Sequence, residues 1–140
     1  MLTIELIPVT ARCKNLRYSL SPNQWDKIRR AAYSRAQYSC EICGGRGPNY
    51  PVECHEIWEF NDSEHTIHLR GFQVLCPKCH GIKYMTRSWR DPQWRLMAFD
   101  HLDQVNNWSR FDTIAHFDQA VHLWCERNNY QWKLDLSELQ

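Results

Sequence analysis

The sequence predicts an α+β fold with a ββα unit at its centre. Three features of the chain predict it: two Cys-x-x-Cys pairs, two strand-like segments between them, and a helical pattern after the second pair. A length of 140 residues suits one domain, residues 1–140. Hydrophobic residues make up 43% of the chain, so it can bury a core, which excludes wholesale disorder.

Hydropathy and charge narrow the class of protein further. No apolar run approaches the roughly 18 residues of a transmembrane helix, and the N-terminus lacks the pattern of a secretory signal. We therefore expect a cytoplasmic protein without a membrane partner. The net charge is +1, but residues 70–95 carry six basic side chains against one acidic. Such a stretch can hold a phosphate backbone, although a solvated helix face is the simpler interpretation.

Cysteine usage indicates a metal site. Four of the seven cysteines form the two pairs: Cys40, Cys43, Cys76 and Cys79. The odd number of cysteines and the absence of a signal argue against a disulfide framework. Two tight Cys-x-x-Cys turns supply the four soft ligands of tetrahedral zinc, so we expect a structural Zn²⁺ with no open position. The other three are interpreted as small core residues: Cys13, Cys54 and Cys125.

The flanking elements follow from periodicity and capping residues. Alternation of Leu2, Ile4 and Leu6 predicts a short N-terminal strand. Ser21 predicts a helix start, with a capping box, for a helix to about residue 37. A further helix is predicted to start at Asp91 and Pro92 and to run to about residue 105. Another is predicted from a cap at Asp112 to about residue 127, and a final strand at residues 131–136. The two terminal strands are expected to pair or to pack on one shared core.

The central unit carries a second group of chemically active residues. Strands are predicted at residues 52–60 and 67–75, and a helix from the second cysteine pair to about residue 87. His55 and Glu56 on the first strand can approach His80 at the start of the helix, with Glu53 as a further candidate. Hydrolysis of a phosphodiester needs a base that activates water and a cation on the phosphate. One of these side chains can act as the base, and the others can hold a metal cation. The alternative is that both histidines only support the zinc.

The segments CEICGG, ECHEIW and LCPKCHGIK resemble the zinc-stabilised HNH endonuclease family. The resemblance covers residues 39–87, and the flanks, residues 1–38 and 88–140, more faintly resemble a small group of bacterial HNH-type proteins. It implies a treble-clef-like ββα-metal core with a structural zinc held by the four paired cysteines, on which the flanks pack. The position of the family's asparagine is Gly71 in this chain.

The resemblance also implies a function and its residues. It implies hydrolysis of DNA with Mg²⁺ or another divalent metal, held by His55 and His80, with Glu56 at the general-base position. A register shifted by one residue makes His55 the base instead. The residues expected to contact DNA are Lys83, Arg87 and Arg90. The alternative is an HNH-like zinc scaffold that has lost catalysis and binds nucleic acid or a protein partner.

Overall fold

The structure, a computed structural model, describes residues 1–11, 19–47, 52–85 and 89–139 and has an α+β fold. Its helices are α1 (Pro22–Arg35), α2 (Pro77–Tyr84), α3 (Pro92–Asn106) and α4 (Arg110–Arg127). Its strands are β1 (Glu53–Asn61), β2 (Thr66–Leu75) and β3 (Lys133–Asp135). The predicted α+β class is therefore confirmed. None of the described helices is long and apolar enough to cross a membrane.

The sheet is a hairpin with a short third strand, in the order β1-β2-β3. β1 and β2 pair antiparallel, and the side chain of Asn61 forms their turn by accepting the N–H groups of Ser63 and Glu64 at 3.1 and 3.0 Å. The register shifts between Ile57 and Trp58, opposite Gly71. Gly71 has a φ of +148°, a backbone conformation that residues with a side chain rarely adopt, so this irregularity favours glycine at this position.

Different helices pack on the two faces of the hairpin. Cys54 and Val74 lie opposite each other and pack with Ala32 of α1. On the other face, Leu75 joins the cluster that contains Ile82 of α2. Because side chains alternate along a strand, neighbouring residues of β1 belong to different surroundings. This alternation decides which side chains can reach α2.

Helix starts follow the local sequence closely, with one correction. Ser21 caps α1 with a complete capping box, as predicted, and Asp91 caps α3. The prediction that Asp112 caps α4 is wrong: Ser109 is the cap, and Asp112 is its capping-box partner three residues later. Asp112 accepts the Ser109 N–H at 3.0 Å, and the Ser109 hydroxyl accepts the Asp112 N–H at 3.1 Å.

The predicted N-terminal strand is wrong, although its burial pattern is right. Leu2, Ile4 and Leu6 are buried, but the described part of the segment before Val9 pairs with no strand. Its backbone is held by helix side chains instead. Asn106 of α3 both accepts the Leu2 N–H (2.7 Å) and donates to the Leu2 carbonyl (2.8 Å), and His116 of α4 accepts the Ile4 N–H (2.9 Å). Together with the Lys83 carbonyl, which accepts the Glu5 N–H at 2.6 Å, these side chains satisfy the backbone without a sheet.

The contact between Ile4 and His116 makes stability depend on pH. Nε2 of His116 accepts a hydrogen bond, so it must be unprotonated, and burial lowers the pKa of His116 below its ordinary value of 6.5. As pH falls, the unfolded chain therefore binds this proton first, and stability present above pH 6.5 is lost below it. We expect the free energy of unfolding, measured with urea, to fall as the pH is lowered below 6.5. In His116→Gln this fall is expected to be smaller, because the titrating imidazole is gone. Equal pH dependence in both proteins would contradict this role.

The C-terminal segment packs on the hairpin. β3 is shorter than predicted and pairs parallel with β2, so the two chain ends do not pair with each other. The other predicted arrangement, one shared core, is present only at Ile7, which packs with Leu136 on the cluster formed by Trp58, Ile67 and Leu69. Leu2, Ile4 and Leu6 belong instead to the cluster that contains Ile82. The Trp132 ring lies edge-on to Phe60, with centroids 5.3 Å apart.

Truncation after Asn129 tests the contribution of this segment. It removes the Trp132 ring from its contact with Phe60. It also removes the apolar side chains of Leu136 and Leu139 from the cluster formed by Trp58, Ile67 and Leu69. We expect the free energy of unfolding to fall by roughly 2–4 kcal/mol, in the range of large core truncations. Leu134, which is 40% exposed, is the control position, and Leu134→Ala is expected to change little. A truncated protein with the melting temperature of the full chain would show that the segment contributes nothing.

Candidate functional site

The two cysteine pairs form one cluster, which joins the turn after α1 to the start of α2. The four Sγ atoms of Cys40, Cys43, Cys76 and Cys79 lie within 4.8 Å of one another. Zn–S bonds of about 2.3 Å place tetrahedral sulfurs about 3.8 Å apart, and the sulfurs of Cys43 and Cys76 are separated by 3.7 Å. The cluster can therefore bind a structural metal such as zinc.

Backbone amides point at these sulfurs, as they do in metal-binding turns. The Gly45 N–H donates to the sulfur of Cys43 at 3.3 Å, and the Cys79 N–H donates to the sulfur of Cys76 at 3.4 Å. Gly44 has a φ of +76°, and a Cβ on Gly45 would lie 3.3 Å from the Cys43 sulfur. The positive φ therefore favours glycine at position 44, and the tight contact favours it at position 45.

Protons are unevenly shared within the cysteine cluster. A hydrogen bond from the Cys79 thiol lowers the pKa of Cys40, and the same contact raises the pKa of Cys79. Burial raises the pKa of Cys43. Cysteine sulfurs bind a metal as thiolates, so a cation that binds the cluster displaces the thiol protons. The donor set thus fits a thiolate-bound metal.

A second cluster joins β1 to α2 on the face that α2 covers. Potential ligand atoms of Glu53, His55 and His80 lie within 4.8 Å of one another. One carboxylate oxygen of Glu53 lies 3.2 Å from Nε2 of His55 and 3.1 Å from Nδ1 of His80. The two imidazole rings stack with their centroids 3.3 Å apart. The structure thus brings His55 and His80 together, and Glu53 joins them.

This second cluster is accessible and firmly supported. The Glu53 side chain is 44% exposed and that of His80 is 29% exposed, so a ligand can reach both. Tyr84 lies one turn after His80, and its hydroxyl donates to the carbonyl of Glu56 at 2.6 Å. That bond ties α2 to β1 beside the cluster. A carboxylate with two imidazoles suits divalent transition metals, and the carboxylate also suits Mg²⁺.

The structure corrects the expectation that Glu56 belongs to this site. Glu56 lies opposite Phe72, and the Phe72 ring packs against Trp25, which lies on α1. Alternation along β1 places Glu56 on that face, away from His55. Glu53, two residues before His55, is the acid on the correct face. The period of a strand predicts this choice between the two acids once His55 is assigned.

Lys83 is also placed differently from the expectation. It is only 7% exposed, and its ammonium lies 3.4 Å from a carboxylate oxygen of Glu5 in the N-terminal segment. A buried ammonium that already pairs with a carboxylate is not presented to a phosphate. Arg90 is exposed, with its guanidinium 5.0 Å from the centre of the Trp89 ring. Arg87 lies outside the described residues.

The remaining cysteines divide into three cases. Cys54 is buried in the core beside α1, as predicted. Cys125 is exposed on α4, so its predicted core position is wrong. Cys13 lies outside the described residues. The cysteine cluster also has a contact that nothing in the sequence indicated. Nε2 of His101, on α3, lies 3.2 Å from the sulfur of Cys79.

The chain was also compared with known proteins. Searches against models of protein families, curated proteins and solved structures find no match.

Proposed function

We propose that the chain is an HNH-type, metal-dependent endonuclease that hydrolyses DNA phosphodiester bonds on a zinc-stabilised ββα-metal core. The observation that carries this proposal is the cluster of Glu53, His55 and His80, whose potential ligand atoms lie within 4.8 Å of one another. It occurs in the part of the chain, residues 39–87, that resembles this family.

Glu53 and His80 are the residues that would hold a divalent cation. When bound, such an ion neutralises charge on the scissile phosphate and eases departure of the leaving oxygen. The Glu53 carboxylate supplies the hard oxygen that Mg²⁺ prefers, whereas the imidazole of His80 extends the choice to Mn²⁺, Ni²⁺ or Zn²⁺. Tyr84 supports the position of His80 through its bond to β1.

His55 is the proposed general base. Glu56, the other candidate, shares a face with Phe72 and is directed away from the cluster. The Glu53 carboxylate lies 3.2 Å from Nε2 of His55 and orients the ring. A neutral imidazole can take the proton of water as the water oxygen attacks phosphorus and the bond to the leaving oxygen breaks. Solvent then protonates the leaving oxygen.

Contacts to the DNA backbone are assigned to arginine rather than to Lys83. Arg90 is exposed, and its stacking on Trp89 leaves guanidinium donors for phosphate. Arg87 keeps its proposed role on the sequence alone. Loss of one such contact weakens binding and reduces its salt dependence.

Two observations favour the second candidate function, a zinc scaffold without catalysis. Lys83 pairs with Glu5 instead of facing a substrate. Gly71 stands in the place of the family's asparagine and has no side chain to assist the site. Such a scaffold would still bind nucleic acid or a protein partner through its exposed basic residues.

A plasmid-nicking assay separates the two functions. The zinc-loaded full chain is incubated with supercoiled plasmid and Mg²⁺, Mn²⁺, Ni²⁺ or added Zn²⁺, and conversion to nicked and linear DNA is measured. The endonuclease proposal expects cleavage with at least one metal and none when no metal is added. Retarded migration of intact plasmid with every metal would favour the scaffold.

A further inference from the structure

We propose that His101 donates its Nε2–H to the sulfur of Cys79 and thereby sets how tightly the cysteine cluster holds its metal. This inference concerns the four-cysteine cluster alone. It is independent of nuclease activity, since metal affinity is measured directly. His101 would act as a positioning and charge-dispersing residue, not as a ligand.

Three of the four sulfurs have a backbone N–H donor. Cys40 accepts from the Cys43 N–H at 3.5 Å, Cys43 from the Gly45 N–H at 3.3 Å, and Cys76 from the Cys79 N–H at 3.4 Å. These donors arise from the two tight turns, because each turn folds its amides back toward a preceding sulfur.

The fourth sulfur lies where no such turn follows. Cys79 belongs to the first turn of α2, and the amides after it enter helical hydrogen bonds, as the bond from His80 N–H to the Cys76 carbonyl (3.0 Å) illustrates. Cys79 is 0% exposed, so bulk water does not reach its sulfur. The donor at this sulfur is the imidazole of His101, with Nε2 at 3.2 Å.

Charge explains why the fourth donor matters. A divalent zinc ion bound by four thiolates leaves a net charge of about −2 in a largely buried place. Hydrogen bonds to the sulfurs spread this charge, and partners of this kind commonly change metal affinity by roughly 10–100-fold. A metal-bound thiolate has no proton to give, so the imidazole must be the donor. His101 thereby joins α3 to the metal cluster.

The test compares His101→Leu, which removes the donor, with His101→Gln, whose amide nitrogen can reach the position of Nε2. The control is His122→Leu, because the His122 side chain is 77% exposed on α4 and far from any cysteine of the cluster in sequence. Zinc affinity is measured by competition with a chromophoric chelator. The cobalt-substituted proteins are compared by their sulfur-to-metal charge-transfer bands.

We expect His101→Leu to weaken zinc binding by roughly 10–100-fold and to move the charge-transfer band to lower energy. His101→Gln is expected to recover most of both properties, and His122→Leu to match the unchanged chain. Unchanged affinity and an unshifted band in His101→Leu would overturn the proposal. So would a His101→Gln protein as weak as His101→Leu.

A further pair of variants covers the case in which His101→Leu does not fold. An asparagine amide reaches the position of Nδ1 rather than Nε2, so His101→Asn is expected to bind zinc more weakly than His101→Gln. Equal affinities of these two proteins would overturn the assignment of Nε2 as the donor.

Discussion

His80→Ala is expected to abolish metal-dependent DNA cleavage while the protein stays folded and keeps the zinc proposed for its cysteine cluster. The imidazole of His80 shares the Glu53 carboxylate with His55 and is proposed to hold the catalytic cation. Losing several kcal/mol of charge stabilisation on the phosphate corresponds to a rate loss of roughly a thousandfold. The measurement is the initial rate of plasmid nicking at saturating metal, with circular dichroism and zinc content determined in parallel.

A matched pair of acidic residues tests the placement of the site. Glu53→Gln should reduce the rate by roughly a hundredfold or more, because it removes the carboxylate between the two imidazoles. Glu56→Gln should change the rate by less than about threefold, because Glu56 lies on the face of β1 opposite to His55. The reverse order of effects would restore Glu56 as the base. Full activity in His80→Ala would show that cleavage occurs at another site.

Removal of the structural metal is expected to unfold the centre of the chain. The cysteine cluster connects the first turn to α2, and its residues Cys40, Cys76 and Cys79 belong to the largest buried cluster of the described residues. Structural zinc contributes on the order of 10 kcal/mol, comparable to the whole stability of a typical domain. A strong chelator should therefore cause cooperative loss of the circular dichroism signal, and zinc should restore it.

Single cysteine variants give this prediction its control. Cys40→Ser should yield protein with little tightly bound zinc and low solubility, whereas elemental analysis of the unchanged chain should find about one such ion per chain. Cys125→Ser should retain zinc and melting temperature, because Cys125 is exposed on α4 and outside the cluster. Zinc-free protein with native circular dichroism would contradict the structural role of the metal.

Local signals in the sequence were sufficient for most of the secondary structure. Capping residues act within one helical turn, so Ser21 and Asp91 could be identified as helix starts without knowledge of the fold. The same range limit explains the error at α4, where Ser109 and Asp112 both satisfy the local pattern and only their geometry separates cap from partner. The paired cysteines are likewise a local signal, since each turn spans four residues.

The alternation of residues along β1 was visible in the sequence, but the sequence did not show which face of the strand meets α2. A period of two residues puts Glu53 with His55 and puts Cys54 with Glu56. Which of these pairs faces α2 depends on how the helices pack on the hairpin, and that choice decides which acid belongs to the site. The N-terminal segment shows the same limit: its alternation predicted buried leucines correctly, but side chains of α3 and α4 hold its backbone instead of a strand.

The sequence by itself determined the helices, the hairpin and the metal-binding chemistry of the cysteines, because these depend on residues close together in the chain. Only the tertiary structure decided that α2 brings His80 to the face of β1 that carries Glu53 and His55. It likewise decided that Glu5 pairs with Lys83 and that the imidazole of His101 reaches the sulfur of Cys79. Each of these contacts joins elements whose separation is set by core packing. Periodicity and capping carry no information about the distance between separate elements. The contacts that complete the two clusters could therefore be identified only from the packed core.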